Sequence, residues 1–244
     1  MKTIINKQQR AIRSTAVLCI ALVAVLAFFS SISLHAQSYV VSNLVADLPG
    51  AAINTDTNLV NAWGLALLPN DMLVVNANGT DLAGLYKTDG TPTGNYVEVD
   101  SAPSGVVVNN SIWFRVSDGG PARPSNLIFV TEDGTIMGWN SHFTSSAAVV
   151  AVDNSAFDAV YKGVAMGDWL FAADFRGGIV DIYGGRWKWL GAFTDSHVDP
   201  GFAPFNVAVI DGLVYVAFAK QLAPEFKDDE AGPGNGFVDV FTPT

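Results

Sequence analysis

One short pattern recurs four times along this chain, and it limits the possible folds more than any other feature. A strand opening on glycine, or in one copy on asparagine, a turn and a second apolar strand occur as Trp63-Gly64-Leu65-Ala66-Leu67-Leu68 with Asp71-Met72-Leu73-Val74-Val75-Asn76. They return as Lys162-Gly163-Val164-Ala165-Met166 with Asp168-Trp169-Leu170-Phe171-Ala172-Ala173. Phe205-Asn206-Val207-Ala208-Val209 with Gly212-Leu213-Val214-Tyr215-Val216-Ala217 is a third copy, and Ser104-Gly105-Val106-Val107-Val108 with Ser111-Ile112-Trp113-Phe114-Arg115-Val116 a weaker one. Aligning Gly64, Gly105, Gly163 and Asn206 spaces the copies by roughly 40 to 60 residues, the size of a propeller blade. Each copy continues into a third strand, at residues 82–86, 126–131, 179–183 and 237–241. Such a sheet cannot bury both faces alone, so the repeats must pack on one another around an axis. Small residues in the first strands fit a crowded axis, and a β-sandwich is the competing arrangement. The expected fold is all-β, a β-propeller of four-stranded antiparallel blades with three full blades and most of a fourth.

Composition agrees with a packed, exported domain. Half the chain is apolar and 15% is charged, with 13 Lys and Arg against 23 Asp and Glu for a net charge of -10. That excludes disorder and argues against nucleic-acid partners, because a chain this acidic repels phosphate. Residues 1–36 hold no carboxylate. Their basic start, the apolar run at 16–29 and Ala36-Gln37 read as a secretory signal peptide, followed by a propeller domain at 37–244. The apolar run is short of the ~20 residues that span a bilayer, so no stable membrane span is expected after cleavage, although a retained anchor is the competing reading. The expected destination is periplasm, cell surface or extracellular space. Cys19 is the single cysteine and lies in the leader, which excludes disulfides, thiol catalysis and cysteine zinc sites from the domain. His142 and His197 are the only histidines after the leader, too few for a three-histidine metal site.

Several longer segments carry a resemblance. Asn58-Leu59-Val60-Asn61-Ala62-Trp63-Gly64, Ala102-Pro103-Ser104-Gly105, Thr131-Glu132-Asp133-Gly134-Thr135-Ile136-Met137-Gly138-Trp139 and Val160-Tyr161-Lys162-Gly163 are the first of these. Ala172-Ala173-Asp174-Phe175-Arg176-Gly177-Gly178, Phe202-Ala203-Pro204-Phe205-Asn206 and Gly234-Asn235-Gly236-Phe237-Val238-Asp239-Val240-Phe241 complete the set. Together they resemble a family of uncharacterised exported bacterial proteins, six-bladed propellers akin to the NHL-repeat proteins and the gluconolactonase-like lactonases. Members usually run on for about two further blades. The resemblance therefore implies a truncated product, four blades closed under strain, or two chains completing each other through open blade edges, with truncation favoured.

In a propeller the turns into the inner strands and the loops after the second strands gather on one face around the channel. Here the former are Asn61, Trp63, Ser104, Tyr161, Lys162, Phe205 and Asn206. The latter are Asn76, Asn78, Asp174, Arg176, Lys220, Gln221 and the run Asp228-Asp229-Glu230. Asn61, Trp63, Tyr161, Lys162, Asp174, Arg176 and Asn206 are the expected ligand-binding residues. The carboxylate and amide oxygens gathered on this face, Asp228 and Asp229 included, are hard ligands of the kind Ca²⁺ or Mg²⁺ takes. The lactonase resemblance implies such an ion, held by Glu, Asn and Asp from different blades, polarising a lactone carbonyl while a carboxylate activates water. Asn61, Asp174 and Asn206, with Asp228 and Asp229, are the expected metal set. Turn amides capping their own backbone are the competing reading. Glu98, Glu132, Glu225 and Glu230 all fall away from the turns into inner strands, which weakens the hydrolase. A hairpin held by an Asp–Arg pair competes at Asp174-Phe175-Arg176, and a plain solvated loop at 220–236. The function expected first is an exported binding module for an unknown protein, glycan or small molecule, and the alternative is a divalent-metal-dependent hydrolase of the lactonase kind.

Overall fold

In the computed structural model residues 39–242 are described, and from Ser42 onward they belong to one compact unit. The leader assigned to residues 1–36 lies outside the described residues. The strands number β1 (Val45–Ala46), β2 (Asn54–Thr55), β3 (Ala62–Leu67), β4 (Met72–Ala77), β5 (Leu82–Lys87), β6 (Pro92–Glu98) and β7 (Pro103–Val108). They continue with β8 (Arg115–Val116), β9 (Arg123–Pro124), β10 (Leu127–Thr131), β11 (Thr135–Trp139), β12 (Val149–Asp153), β13 (Tyr161–Met166) and β14 (Leu170–Asp174). The last are β15 (Ile179–Gly184), β16 (Lys188–Phe193), β17 (Phe202–Ile210), β18 (Leu213–Lys220) and β19 (Gly236–Phe241). Three antiparallel four-stranded sheets, β3-β4-β5-β6, β7-β10-β11-β12 and β13-β14-β15-β16, are followed by a three-stranded sheet, β17-β18-β19. These are the blades of an incomplete β-propeller, with β3, β7, β13 and β17 innermost.

Period-two alternation distributes the core between blades. Every residue of β10 is buried, and its side chains divide by parity. Leu127 and Phe129 pack with Val74, Val97 and Val106 of the first blade's side, while Ile128 and Val130 pack with Tyr161, Val164 and Leu170 of the third. A third cluster, Phe171, Val180, Val207, Val214, Val216 and Phe218, joins the third and fourth blades. The outward faces of the first and last blades stay uncovered in part: Leu65 and Leu67 on one side and Ile210, Val238 and Val240 on the other are exposed.

The inner strands approach more closely than a side chain allows. A Cβ on Gly64 would lie 2.6 Å from the Ser104 carbonyl oxygen, and one on Gly105 3.0 Å from the Val164 nitrogen. A Cβ on Gly163 would lie 2.8 Å from the Asn206 Cα. The three glycines thus hand contact on from each blade to the next, and Asn206, the fourth member, fills the space left by Gly163.

One segment departs from the sequence reading. Residues 112–116 are not the second strand of the second blade. Asn109 accepts from the Ser111 N–H at 3.0 Å, a turn that bends the chain out of the sheet, and Phe114 sits at φ 52°. The excursion carries a small hairpin, β8 with β9, and the chain re-enters the blade as β10. The run read as the third strand is therefore the second. On the opposite flank, the segment before β3 is pinned by buried Asp56, which accepts from Tyr86 Oη at 2.7 Å and from Tyr96 Oη at 2.9 Å.

If close approach of the inner strands sets the blade spacing, Gly105→Ala must push Val164 aside and lose about 1–3 kcal/mol, whereas Gly120→Ala, with only Asp118 at 3.5 Å, stays within about 0.5 kcal/mol of the parent. Midpoints of denaturant unfolding measure both.

Candidate functional site

The turns into β3, β13 and β17 and the loops after β4, β10 and β18 meet at one end of the channel. A cavity of about 490 Å³ opens there, walled by Trp63, Gly64, Ser104, Lys162, Phe205 and Asn206, with Val106, Val164 and Val207 below. Trp63 and Phe205, from the first and fourth blades, stand with ring centroids 6.0 Å apart. Phe175 supports Phe205 edge-on at 5.3 Å.

Lys162 is the centre of the site. Its side chain is fully buried, with Nζ 4.8 Å from the Trp63 ring and 5.8 Å from the Phe205 ring. Nζ donates to Glu132 Oε1 and, at 3.3 Å, to Asp228 Oδ1. A buried ammonium needs such company, because desolvation without paired acceptors is costly. The relay extends outward from Glu132. Asn78 Nδ2 donates to Glu132 Oε2 at 3.3 Å, Asn61 Nδ2 to Asn78 Oδ1 at 3.0 Å, and Trp63 Nε1 to Asn61 Oδ1 at 3.0 Å. An indole can only donate and a carboxylate can only accept, so the orientation of both amides is fixed from the two ends. Asn61 takes the left-handed conformation (φ 53°) that asparagine tolerates, which turns its amide toward Asn78.

Glu132 is the residue that sequence reasoning missed. Once β10 is the second strand of its blade, Glu132 occupies the loop after that strand, the same topological place as Asn78. Its strand assignment, not its chemistry, hid it.

The other expected residues are placed differently. Asn206 is exposed at the cavity wall and spends Oδ1 on the Val207 N–H at 2.9 Å. Tyr161 turns its phenol away from the cavity to donate to buried Asp181 at 2.8 Å, beside Tyr183 and Asn154. Asp174 Oδ1 accepts from the N–H groups of Val160 and Gly177, both at 3.0 Å, and closes the turn after β14. Arg176 faces Asp158 at 3.9 Å, so the ion pair of this hairpin does not involve Asp174. Asp229 bridges to Gln221 in the 220–236 excursion, which is tied by Glu230 N–H to Lys220 O at 2.7 Å and by Leu222 N–H to Asp228 O at 2.8 Å. This loop reaches from the fourth blade toward the others: Gln221 Nε2 donates to Phe175 O at 2.6 Å, Asp228 meets Lys162, and Lys227 lies 3.7 Å from Asp133.

Of the expected metal set, Asn61 Oδ1, Asp174 Oδ1 and Asn206 Oδ1 each accept from an N–H donor, and the cation between Glu132 and Asp228 is Lys162. Among the described residues no three of His, Cys, Asp and Glu converge in a metal-binding group.

No family model matches the chain. Three uncharacterised proteins of Acanthamoeba polyphaga mimivirus are similar to it. One is 29% identical over 172 residues, covering 65% of this chain and 32% of its own length. The others are 22% and 25% identical, each covering 82% of this chain and 54% and 58% of their own. The chain thus spans between a third and somewhat over half of these relatives. Solved structures of similar shape include a streptogramin B lyase (TM-score 0.49, 11% identity, 75% of this chain and 55% of that one) and a putative 6-phosphogluconolactonase from Bacteroides uniformis (0.46, 10%, 74% and 57%). Virginiamycin B lyase from Staphylococcus aureus matches at 0.49 and 12%, covering 75% and 55%. All are distant, and the propeller architecture is read from this chain's own blades.

Two measurements follow. Lys162→Met strands the nearly buried Glu132 carboxylate and should cost about 3–5 kcal/mol, whereas Lys162→Met combined with Glu132→Leu should recover most of it. A double-mutant cycle in denaturant reads the coupling. Burial outweighs the N–H donors at Asp174 and holds its carboxyl above the ordinary 3.8. The folded protein then binds this proton more tightly than the unfolded chain, so Asp174 subtracts stability as pH rises above 3.8. The stability of the parent relative to Asp174→Asn should therefore fall across that window and be flat below it, as measured by unfolding at stepped pH.

Proposed function

We propose that the chain is an exported binding module whose funnel takes a neutral, hydroxyl-rich ligand of the saccharide class. One observation carries the reading: Lys162 already fills the cationic position between Trp63 and Phe205 and is itself paired with Glu132 and Asp228. A cationic ligand would meet that ammonium, and an anionic one would meet the two carboxylates and the acidic field of the chain. A neutral sugar suits what remains. Its apolar face can lie on the partly exposed Trp63 indole, while its hydroxyls pair with Asn206 and with the lone pairs that Glu132 and Asp228 keep free. Export belongs to the same proposal, and the secreted protein should begin near Gln37.

The test is calorimetric titration of the protein with neutral oligosaccharides, guided by a glycan array. Binding should weaken about tenfold or more in Trp63→Ala, the equivalent of roughly 1.4 kcal/mol, and should not require Ca²⁺. No saccharide binding, together with an unfolding midpoint raised by millimolar Ca²⁺, would favour the metal-dependent hydrolase instead.

A further inference from the structure

The face opposite the funnel carries a second surface that the binding reading does not use. The β8–β9 excursion of the second blade and the β15–β16 turn of the third meet there. Trp187 Nε1 donates to Arg115 O at 2.9 Å, its ring packs edge-on to Phe114 at 5.0 Å, and Trp113 lies against Gly185. This contact holds Arg186 and Trp187 in consecutive left-handed conformations (φ 62° and 60°), which non-glycine residues adopt only when the surroundings impose them. The result is a turn that presents Arg186 and Lys188 to solvent beside Arg115 and Arg123 of the hairpin, all four exposed.

Two properties set this surface apart. Residues 39–242 contain nine Lys and Arg against 23 Asp and Glu, yet four of the nine gather here, and none of the four has a carboxylate partner among the described residues. Four of the other five, Lys162, Arg176, Lys220 and Lys227, are all in ion pairs. The same two segments of chain also carry exposed large apolar side chains: Ile112 is 70% exposed, Trp113 48%, Trp189 57% and Leu190 45%. Trp189 remains exposed although its N–H is fixed inward to buried Asp181 at 2.9 Å. The second and third blades both have four strands and pack on each other, so this rim is not a blade face awaiting a neighbour.

We propose that this rim docks the protein on an anionic membrane surface. Indoles and aliphatic tips interleaved with Arg and Lys are the chemistry of the lipid headgroup boundary, where rings insert shallowly and cations meet lipid phosphates. Asp118 lies in the same hairpin and Asp168 in the turn between β13 and β14, so the orientation is set by the unpaired cations and apolar tips of the rim rather than by the charge of the whole face. The funnel then faces away from the bilayer.

The full chain is used for the test, with Cys19→Ser so that a single engineered thiol carries an environment-sensitive dye. The dye is placed by Ile112→Cys at the rim, or by Phe157→Cys, also exposed, at the funnel end. Vesicles of phosphatidylglycerol and phosphatidylcholine in equal parts should shift the rim dye to the blue and leave the funnel dye unchanged, and phosphatidylcholine alone should shift neither. Reversing Arg115, Arg186 and Lys188 to Glu should lower rim-dye partitioning about tenfold or more, since each basic side chain near such a surface contributes on the order of a fivefold effect. Cooperative unfolding of that variant shows that it is folded. This readout separates the rim from the apolar segment at 16–29, whose insertion alone would leave the rim dye unmoved. Vesicle-bound protein with no rim shift, equal shifts at both positions, indifference to charge reversal, or no binding would each overturn the proposal. Absence of a vesicle response with the patch intact would leave an acidic protein as its partner.

Discussion

Contact between inner strands at three glycines is the constraint on which the rest of this structure depends. Gly64, Gly105 and Gly163 each face the backbone of the next blade at distances a Cβ would violate, and that proximity sets both the blade spacing and the width of the channel. A wider spacing would separate the interblade clusters that alternate along β10, and the core would lose its density. It would also open the channel end. Trp63 and Phe205 come from blades at opposite ends of the sequence of sheets, and their approach to 6.0 Å is possible because the intervening blades are close-packed.

The funnel chemistry follows from that geometry. Narrowing brings a lysine on β13 within reach of a glutamate after β10 and an aspartate from the loop after β18, three blades contributing to one ionic centre. Such a centre is weak evidence for stability, because desolvation offsets much of the attraction. Its effect is on order. With the carboxylate of Glu132 held by Lys162, Asn78 and Asn61 have one hydrogen-bonding orientation each, and the Trp63 indole is fixed by its N–H. A rigid aromatic platform costs a ligand less to bind than one that must be ordered on contact.

Much of this was legible in the sequence, and the reason is local. Gly64, Gly105 and Gly163 align because each occupies the same crowded place, and crowding leaves a mark on residue type; Asn206, exposed on the fourth blade, holds the equivalent position without a following blade against it. The cavity wall of Trp63, Ser104, Lys162, Phe205 and Asn206 follows from topology once the repeats are aligned. What could not be read was the excursion at 109–126. Ser111-Ile112-Trp113-Phe114-Arg115-Val116 has the apolar content of a strand, and only the side-chain turn at Asn109 and the left-handed Phe114 remove it from the sheet. That one displacement shifted the strand count in the second blade and hid Glu132. The partners of Asp174 and Tyr161 were illegible for another reason: a polar side chain at a strand end can turn toward the channel or back onto the blade, and the sequence pattern is the same for both.

The excursion that confused the sequence reading also explains how charge is divided over the molecule. At the funnel end and its surrounding loops, Lys162, Arg176, Lys220 and Lys227 are neutralised by carboxylates from neighbouring loops, so the site is polar without carrying a free cation. At the other end an insertion in one blade meets a strained turn in the next, and the four cations there find no internal acid. The two ends therefore treat cations differently: those at the funnel end sit against carboxylates, whereas the four on the rim have none within ion-pair distance among the described residues.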